Sequence, residues 1–236
     1  MNKSTLKICV IVPAYNEEKI IQTTIRHALD IFEKEANNFL VVVINDGSND
    51  KTAEYSKRAG ATVIEHILNT GAGGATATGL SYAEQNSFDI AVTMDADGQH
   101  DPKDVINGVN MLIKSGADLL IGSRLIEDQG MSKTKTIGNK GLSFITYLLF
   151  GVYSTDSQSG LRVFSQRSLQ NLRWRTSGYE FCSEMLWRAK QAKLIINEYP
   201  IKSIYTSYSK GKGQNNWNGF NIVKSLIRQR LSELLA

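Results

Sequence analysis

Between residues 6 and 122, short apolar runs alternate with stretches of helical spacing, and no other feature narrows the possible folds as much. Ile8-Cys-Val-Ile-Val12 is too short for a helix and ends at Pro13, which reads as a buried strand followed by a break. Ile21, Ile25, Ala28 and Phe32 recur at helical spacing, with Asn16 as an N-cap and Glu17 and Glu18 in the first turn. Phe39 to Ile44 is a second β-rich run, closed by the turn signal Asn45-Asp-Gly-Ser48. A short helix over Thr52 to Ala59, a strand over Ala61 to Glu65, a helix ending at Gln85 and a strand over Asp89 to Met94 follow. Pro102 suits the first turn of the next helix, and Leu119 to Ile121 reads as a fifth strand. Strands alternating with helices predict an α/β fold, a parallel, doubly wound sheet covered on both faces. Further on, helices are expected over Thr136 to Phe150 and Tyr179 to Ala192, and strands over Leu161 to Phe164 and Leu194 to Ile201.

Composition removes several classes. The 236 residues are 42% hydrophobic, enough for a self-sufficient core, and one domain is the better prior at this length. Cys9 and Cys182, far apart and outside any CxxC spacing, support neither a disulfide framework nor a zinc ribbon, and a reducing compartment fits. No window approaches the apolar length of a membrane span, and Met1 to Leu6 lacks a signal-peptide core. A net charge of +4 is too small to indicate a nucleic-acid partner.

In such a sheet, function gathers where strands end at their carboxyl edge. Tyr15-Asn-Glu17, Asp46-Gly-Ser48 and Asp95-Ala-Asp97 each follow a strand, so all three are expected to line one edge. The Asp95 and Asp97 side chains point the same way in extended backbone, and two like charges at close range need a cation or a proton to coexist. Hard divalent ions bridge carboxylates to substrate phosphates, which suggests Mg or Mn holding a diphosphate, with Gln99 as a further oxygen ligand. The alternative is a capping cluster, because Asp97 to Asp101 precede a helix. Asn69-Thr-Gly-Ala-Gly-Gly74 is neither a dinucleotide fingerprint, which belongs after the first strand, nor a P-loop. Gly71 there serves equally well in a helix-entry turn or in backbone contact with a nucleotide. His27, His66 and His100 are scattered and support no triad. Glu180 and Glu184, four apart on one helical face, are candidate bases or partners for Arg188.

Val12-Pro-Ala-Tyr-Asn-Glu-Glu18, Asn45-Asp-Gly-Ser48, Asp95-Ala-Asp-Gly-Gln-His-Asp-Pro102, Gly122-Ser-Arg124, Asp156 to Arg162 and Gly178-Tyr-Glu-Phe181 occur in an order that resembles family 2 inverting glycosyltransferases. More narrowly, the chain is similar to the branch of dolichol-phosphate mannose synthase and the bacterial polyprenyl-phosphate glycosyltransferases. The resemblance spans residues 8 to about 216. It implies a GT-A type, Rossmann-like, mostly parallel sheet, with residues 1–205 as the catalytic domain and 206–236 as a donor-closing loop and C-terminal amphipathic helix. It further implies that Pro13, Tyr15 and Glu17 hold the nucleoside and that Asp46 lies near base and ribose. Asp95, Asp97 and Gln99 are implied to bind metal and diphosphate, and Arg124, Ser159 and Arg162 the acceptor phosphate. Asp95, Asp97, Arg124 and Arg162 are thus the implied catalytic set, with Lys210 and Lys212 closing over the donor. Two positions depart from the pattern: Ala72 stands where many relatives carry Lys, and Asn139-Lys140 stands where an Arg-containing segment is expected.

The implied reaction is transfer of a sugar from a nucleotide sugar, a UDP-sugar favoured, to a polyprenyl phosphate for cell-envelope glycan synthesis. The alternatives are transfer to a saccharide hydroxyl and a non-catalytic binding subunit. A membrane surface and a small membrane-protein partner are expected too, with the protein cytoplasmic and peripheral at the inner face of the membrane. Phe220, Val223, Ile227, Leu231 and Leu234 form an apolar stripe flanked by Lys224, Arg228 and Arg230, while Ile222 and Leu226 offer a second patch for a partner. On the helix before Phe150, Phe144, Ile145, Leu148 and Leu149 form a broad apolar side.

Overall fold

The computed structural model describes residues 6–35, 38–127, 133–204 and 216–234. Seven strands form one sheet: β1 (Lys7–Ala14), β2 (Asn38–Asn45), β3 (Thr62–Glu65), β4 (Ile90–Thr93), β5 (Leu119–Ser123), β6 (Arg162–Ser165) and β7 (Ile196–Pro200), in the order β3-β2-β1-β4-β6-β5-β7. The helices are α1 (Ile21–Phe32), α2 (Thr52–Ala59), α3 (Gly71–Gln85), α4 (Pro102–Ser115), α5 (Lys133–Phe150), α6 (Gln166–Asn171), α7 (Phe181–Gln191) and α8 (Asn216–Leu234). Every neighbouring pair is parallel except the two made by β6, which runs antiparallel between β4 and β5. The sheet is therefore mostly parallel, as the alternation predicts, with one reversed strand.

Strand β1 shows why the apolar runs are continuous. Ile8, Val10 and Val12 enter the core under α1, α2 and α4, while Cys9 and Ile11 enter the core under α3, α6 and α7. A central strand buried on both faces has no polar side to show. The strand also passes through Pro13 to Ala14 rather than stopping there. Proline is tolerated because β4 pairs with β1 only as far as Ile11 and Thr93, so one flank of β1 is already unpaired.

A third, smaller core joins Leu142 and Phe150 of α5, Trp187 of α7, and Ile222 and Leu226 of α8. Phe150 stacks on Trp187 with ring centroids 5.0 Å apart. Ile222 and Leu226, the patch expected to receive a partner subunit, are thus buried against the protein's own helices. Val223 is partly buried beside them, whereas Ile227 and Leu231 of the expected stripe are exposed. Arg230 sits with its guanidinium 5.9 Å from the Trp187 ring, a packing position rather than one that reaches outward. The side chains of Phe220 and Leu234 lie outside the described part of α8. No described helix is long and apolar enough to cross a membrane.

Candidate active site

The first two polar clusters interlock at the carboxyl edge. Asn16 adopts a φ of +54°, the left-handed conformation that Asn tolerates better than most residues. It is not the helix cap its position suggested: α1 starts at Ile21 after Ile20, and the Asn16 side chain instead accepts from the Asn49 amide at 3.0 Å. The amides of Asn16 and Glu17 donate to Ser48 Oγ and Thr52 Oγ1 at 2.9 and 2.8 Å. Tyr15 is left 45% exposed at the rim of this junction.

Asp46 is the hub beside it. Its Oδ1 accepts from the Thr70 amide at 2.8 Å and the Thr70 hydroxyl at 2.7 Å and lies 2.7 Å from His66 Nδ1, while Oδ2 accepts from the Gly71 amide at 2.8 Å. Burial alone would raise the Asp46 pKa, but these hydrogen bonds outweigh it and hold the carboxyl below its ordinary value. The residue is 3% exposed, so the expected contact with base and ribose has no open carboxylate behind it; Asp46 shapes the loop from His66 to Gly71. Gly71 resolves the same way. Its amide is committed to Asp46, its φ is +83°, and a Cβ there would overlap the Ser177 carbonyl, so it is a helix-entry turn.

Asp95 and Asp97 follow β4. The capping alternative holds for Asp101, which is the cap of α4 and accepts from the Lys103 amide at 2.9 Å, and leaves Asp95 and Asp97 outside the cap. Burial, then the neighbouring charge of Asp95, pushes the Asp97 pKa up. A carboxylate raised by burial and by a second carboxylate beside it belongs to a donor set that fits a hard divalent cation. Among the described residues no group of three or more His, Cys, Asp or Glu side chains converges for a metal. Gln99, expected as a further ligand, here donates its backbone amide to Asp97 Oδ1 at 3.0 Å and its side-chain amide to Oδ2. Facing a carboxylate, an amide must present nitrogen, so its oxygen is turned away. His100, which sequence spacing left without a role, is 5% exposed; its Nδ1 accepts from the Asp95 amide at 3.1 Å.

The 156–162 loop lies directly against Asp95: a Cβ at Gly160 would overlap the Asp95 carboxylate. Thr93 Oγ1 ties the two, donating to the Gly160 carbonyl at 2.7 Å and accepting from the Arg162 amide at 3.2 Å. Arg124 meets Asp156 through two parallel hydrogen bonds, Nε to Oδ2 at 2.6 Å and Nη2 to Oδ1 at 2.8 Å. Arg162 does not reach out to an acceptor. It is 1% exposed and donates to the carbonyls of Ser159, Cys182 and Ser157 at 3.0, 3.1 and 2.7 Å and to Met185 Sδ. A buried guanidinium so engaged braces the loop from within. Ser159 Oγ is buried next to it with no hydrogen-bond partner among the described atoms.

Glu184 is also structural. Buried, it accepts from the amides of Arg175 and Thr176, from the Thr176 hydroxyl and from Arg188 Nε. Burial would raise its pKa, yet these bonds lower it, the opposite of what a general base near neutrality requires. Tyr179, at the start of the Gly178–Phe181 segment's turn into α7, is half-exposed. Its phenol is pushed up by desolvation and then by Asp95, Cys182, Asp97 and Glu17, which puts it within electrostatic reach of carboxylates from two of the loops. Lys210 and Lys212 lie outside the described residues.

Residues 9–173 match the family model described as Glycosyl transferase family 2. Among curated proteins, the chain is 42% identical over 250 residues to UDP-N-acetylglucosamine–dolichyl-phosphate N-acetylglucosaminyltransferase of Methanococcus voltae, covering 97% of this chain and 98% of that one. It is 27% identical to the undecaprenyl-phosphate mannosyltransferase of Micrococcus luteus, covering 88% and 87%. Among solved structures, glucosyl-3-phosphoglycerate synthase from Mycobacterium tuberculosis, in complex with Mn2+, UDP and glucosyl-3-phosphoglycerate, superposes with a TM-score of 0.72 at 20% identity, over 96% of this chain and 79% of that one. The fold shared with that synthase is of the GT-A type, and the chain belongs to glycosyl transferase family 2, on the branch that holds the polyprenyl-phosphate transferases.

Proposed function

We propose that the protein transfers a sugar from a UDP-sugar to the phosphate of a polyprenyl phosphate, with inversion, at a membrane surface. The observation that carries this is the seating of Gly160 against Asp95, which brings the Asp95–Asp97 edge and the Arg124–Asp156 pair to one place. UDP-N-acetylglucosamine is the first donor to try, because the Methanococcus voltae relative is named for it. Asp95 and Asp97 are the residues that would hold Mg or Mn, whose chemistry is stabilisation of the departing diphosphate's charge. Pro13, Tyr15 and Glu17 line the nucleoside side. Arg124, its guanidinium fixed by Asp156, is the cation assigned to the acceptor phosphate, with Ser159 in the adjoining loop. Residues 1–205 carry these groups, and 206–236 close and anchor the site.

A phosphate monoester is largely ionised near neutrality, its second pKa being about 6, and attacks without a strong base. A saccharide hydroxyl would require one, and the commitment of Glu184 to four donors removes one of the two candidates, Glu180 and Glu184. Contact with the membrane falls to α5 and α8. Ile137, Phe144 and Leu148 stand 72, 60 and 63% exposed on one side of α5, Ile227 and Leu231 are exposed on α8, and Lys140, Lys224 and Arg228 are exposed nearby in sequence. Such faces suit an anionic leaflet, here the inner one.

The test is incubation of the full chain and Mg or Mn with labelled nucleotide sugars and undecaprenyl or dolichyl phosphate, followed by extraction into organic solvent. A labelled lipid formed by wild type and lost in Asp97→Asn supports the reading. Transfer to a saccharide with none to either lipid overturns it.

A further inference from the structure

Glu198, on β7, lies outside every motif considered so far, yet its carboxylate is the terminus of a hydrogen-bond chain that reaches both halves of the Arg124–Asp156 pair. Its Oε1 accepts from Ser154 Oγ at 2.6 Å and from the Thr155 amide at 2.8 Å, and its Oε2 accepts from Thr155 Oγ1 at 2.8 Å. A carboxylate only accepts, so the single Thr155 hydroxyl proton is spoken for. The 2.6 Å contact between Thr155 Oγ1 and Ser123 Oγ must then run from Ser123 to Thr155, and Ser123 Oγ in turn accepts from the Leu125 amide at 3.2 Å. The chain has one direction: Leu125 amide to Ser123, Ser123 to Thr155, Thr155 to Glu198.

Its position gives the chain a purpose. Ser123 is fully buried and immediately precedes Arg124, and Thr155 immediately precedes Asp156. Glu198 lies on β7 opposite Ile121 of β5, and the Ile201 amide, just past β7, donates to the Ser123 carbonyl at 3.0 Å. The carboxylate thus stitches the end of β5 to the loop that carries Asp156, and the spacing of that seam sets where the Arg124 guanidinium sits. We propose that Glu198 is a positioning residue for the acceptor phosphate, acting through Thr155 and Ser123 on Arg124. The proposal rests on the acceptor role given to Arg124 above.

The experiment compares binding of two probes to the full chain by calorimetry: farnesyl phosphate, a water-soluble prenyl phosphate, and UDP with Mn2+. Glu198→Gln keeps size but offers an amide nitrogen where Thr155 needs an acceptor, and Thr155→Val removes the middle hydroxyl. Each is expected to weaken farnesyl phosphate about tenfold and UDP by less than about twofold, because small misplacements of a positioning group are costly at the group it positions. Glu198→Gln/Thr155→Val together should also lose about tenfold, since both break one chain. Thr155→Ser, which keeps the hydroxyl, should restore binding. Equal weakening of both probes, or multiplicative losses in the double variant, overturns the proposal and leaves a general structural role. Arg124→Lys separates the two readings. If it weakens farnesyl phosphate while Glu198→Gln and Thr155→Val do not, the inference alone is wrong; if Arg124→Lys also has no effect, the acceptor site is wrong and the inference falls with it. Should Glu198→Gln not fold, the Thr155→Val and Thr155→Ser pair decides.

Discussion

Arg162→Met tests whether the last residue of the 156–162 loop braces the fold or grips substrate. Methionine has similar length and would fill the space, so the perturbation is the loss of donors rather than of volume. The loop carbonyls of Ser159 and Ser157 lose their side-chain donor, and the Cys182 carbonyl, inside α7, loses its second donor. At ~1 to 3 kcal/mol for each buried unsatisfied group, the cost is of order several kcal/mol. Removing a guanidinium from a nearly dry site also cancels its own desolvation penalty, which offsets part of that. The balance expected is about 4 kcal/mol of lost stability, within the range seen when one side of a buried polar arrangement is deleted. For a chain of this size, ~2 to 4 °C of Tm accompanies each kcal/mol, so Tm should fall by about 10 °C. Calorimetric unfolding and urea titration measure both quantities. A Met variant that melts within about 2 °C of wild type but selectively loses acceptor binding would show that Arg162 meets phosphate directly and that its burial had been misread.

Gly160→Ala places a methyl group on the Asp95 carboxylate and should raise the donor KM about tenfold or more while leaving Tm nearly unchanged, measured by steady-state kinetics beside a melting curve. Glu184 is the acid-sensitive tie. Because its folded pKa lies below 4.5, its contribution is complete above that value and is lost as pH falls toward the folded pKa, so wild type should exceed Glu184→Gln by about 1 to 3 kcal/mol near neutrality and by progressively less below pH 4.5 in pH-dependent unfolding. Phe144→Ser/Leu148→Ser removes two exposed apolar groups at ~1.5 kcal/mol each and should cut partitioning onto anionic liposomes roughly a hundredfold in a flotation assay; unchanged flotation would place membrane contact elsewhere.

The strands were readable because a run such as Ile8 to Val12 is apolar on both faces only when both faces are covered, and α1 was readable because Ile21, Ile25, Ala28 and Phe32 have one spacing and one use. Where local pattern allows two solutions, tertiary contact chose. Ile222 and Leu226 sit one position from Val223 and Ile227 on α8, and which pair turns inward depends on Trp187 and Phe150, which periodicity within α8 does not report. Asp156 pairs with Arg124 because β5 and the 154–156 loop are sewn together, while Arg162 is drawn under the loop by carbonyls that carry no side-chain signature. Asp46 stands at a strand end as a ligand would, but it is taken up by two backbone amides, a hydroxyl and an imidazole of the 66–71 loop. The helix α6 is too short for a period to register, and the direction of β6 leaves no mark on its composition.

That reversed strand has an effect on how the site is assembled. A parallel strand delivers to the carboxyl edge the segment that leaves it; β6 delivers the segment that enters it, so Arg162 and the loop before it arrive at the same rim as the segments leaving β4 and β5. Adjacent strands are ~4.8 Å apart, so β6 also holds the β4 and β5 exits about 10 Å apart. Under the proposed function, donor chemistry falls on one flank, β1 to β4, and acceptor recognition on the other, β5 to β7, with a single strand as the hinge post between them. Substitutions can accumulate on either flank and be felt by the other chiefly through the Thr93–Gly160–Arg162 ties, which gives a transferase of this build a way to change its acceptor while keeping its donor.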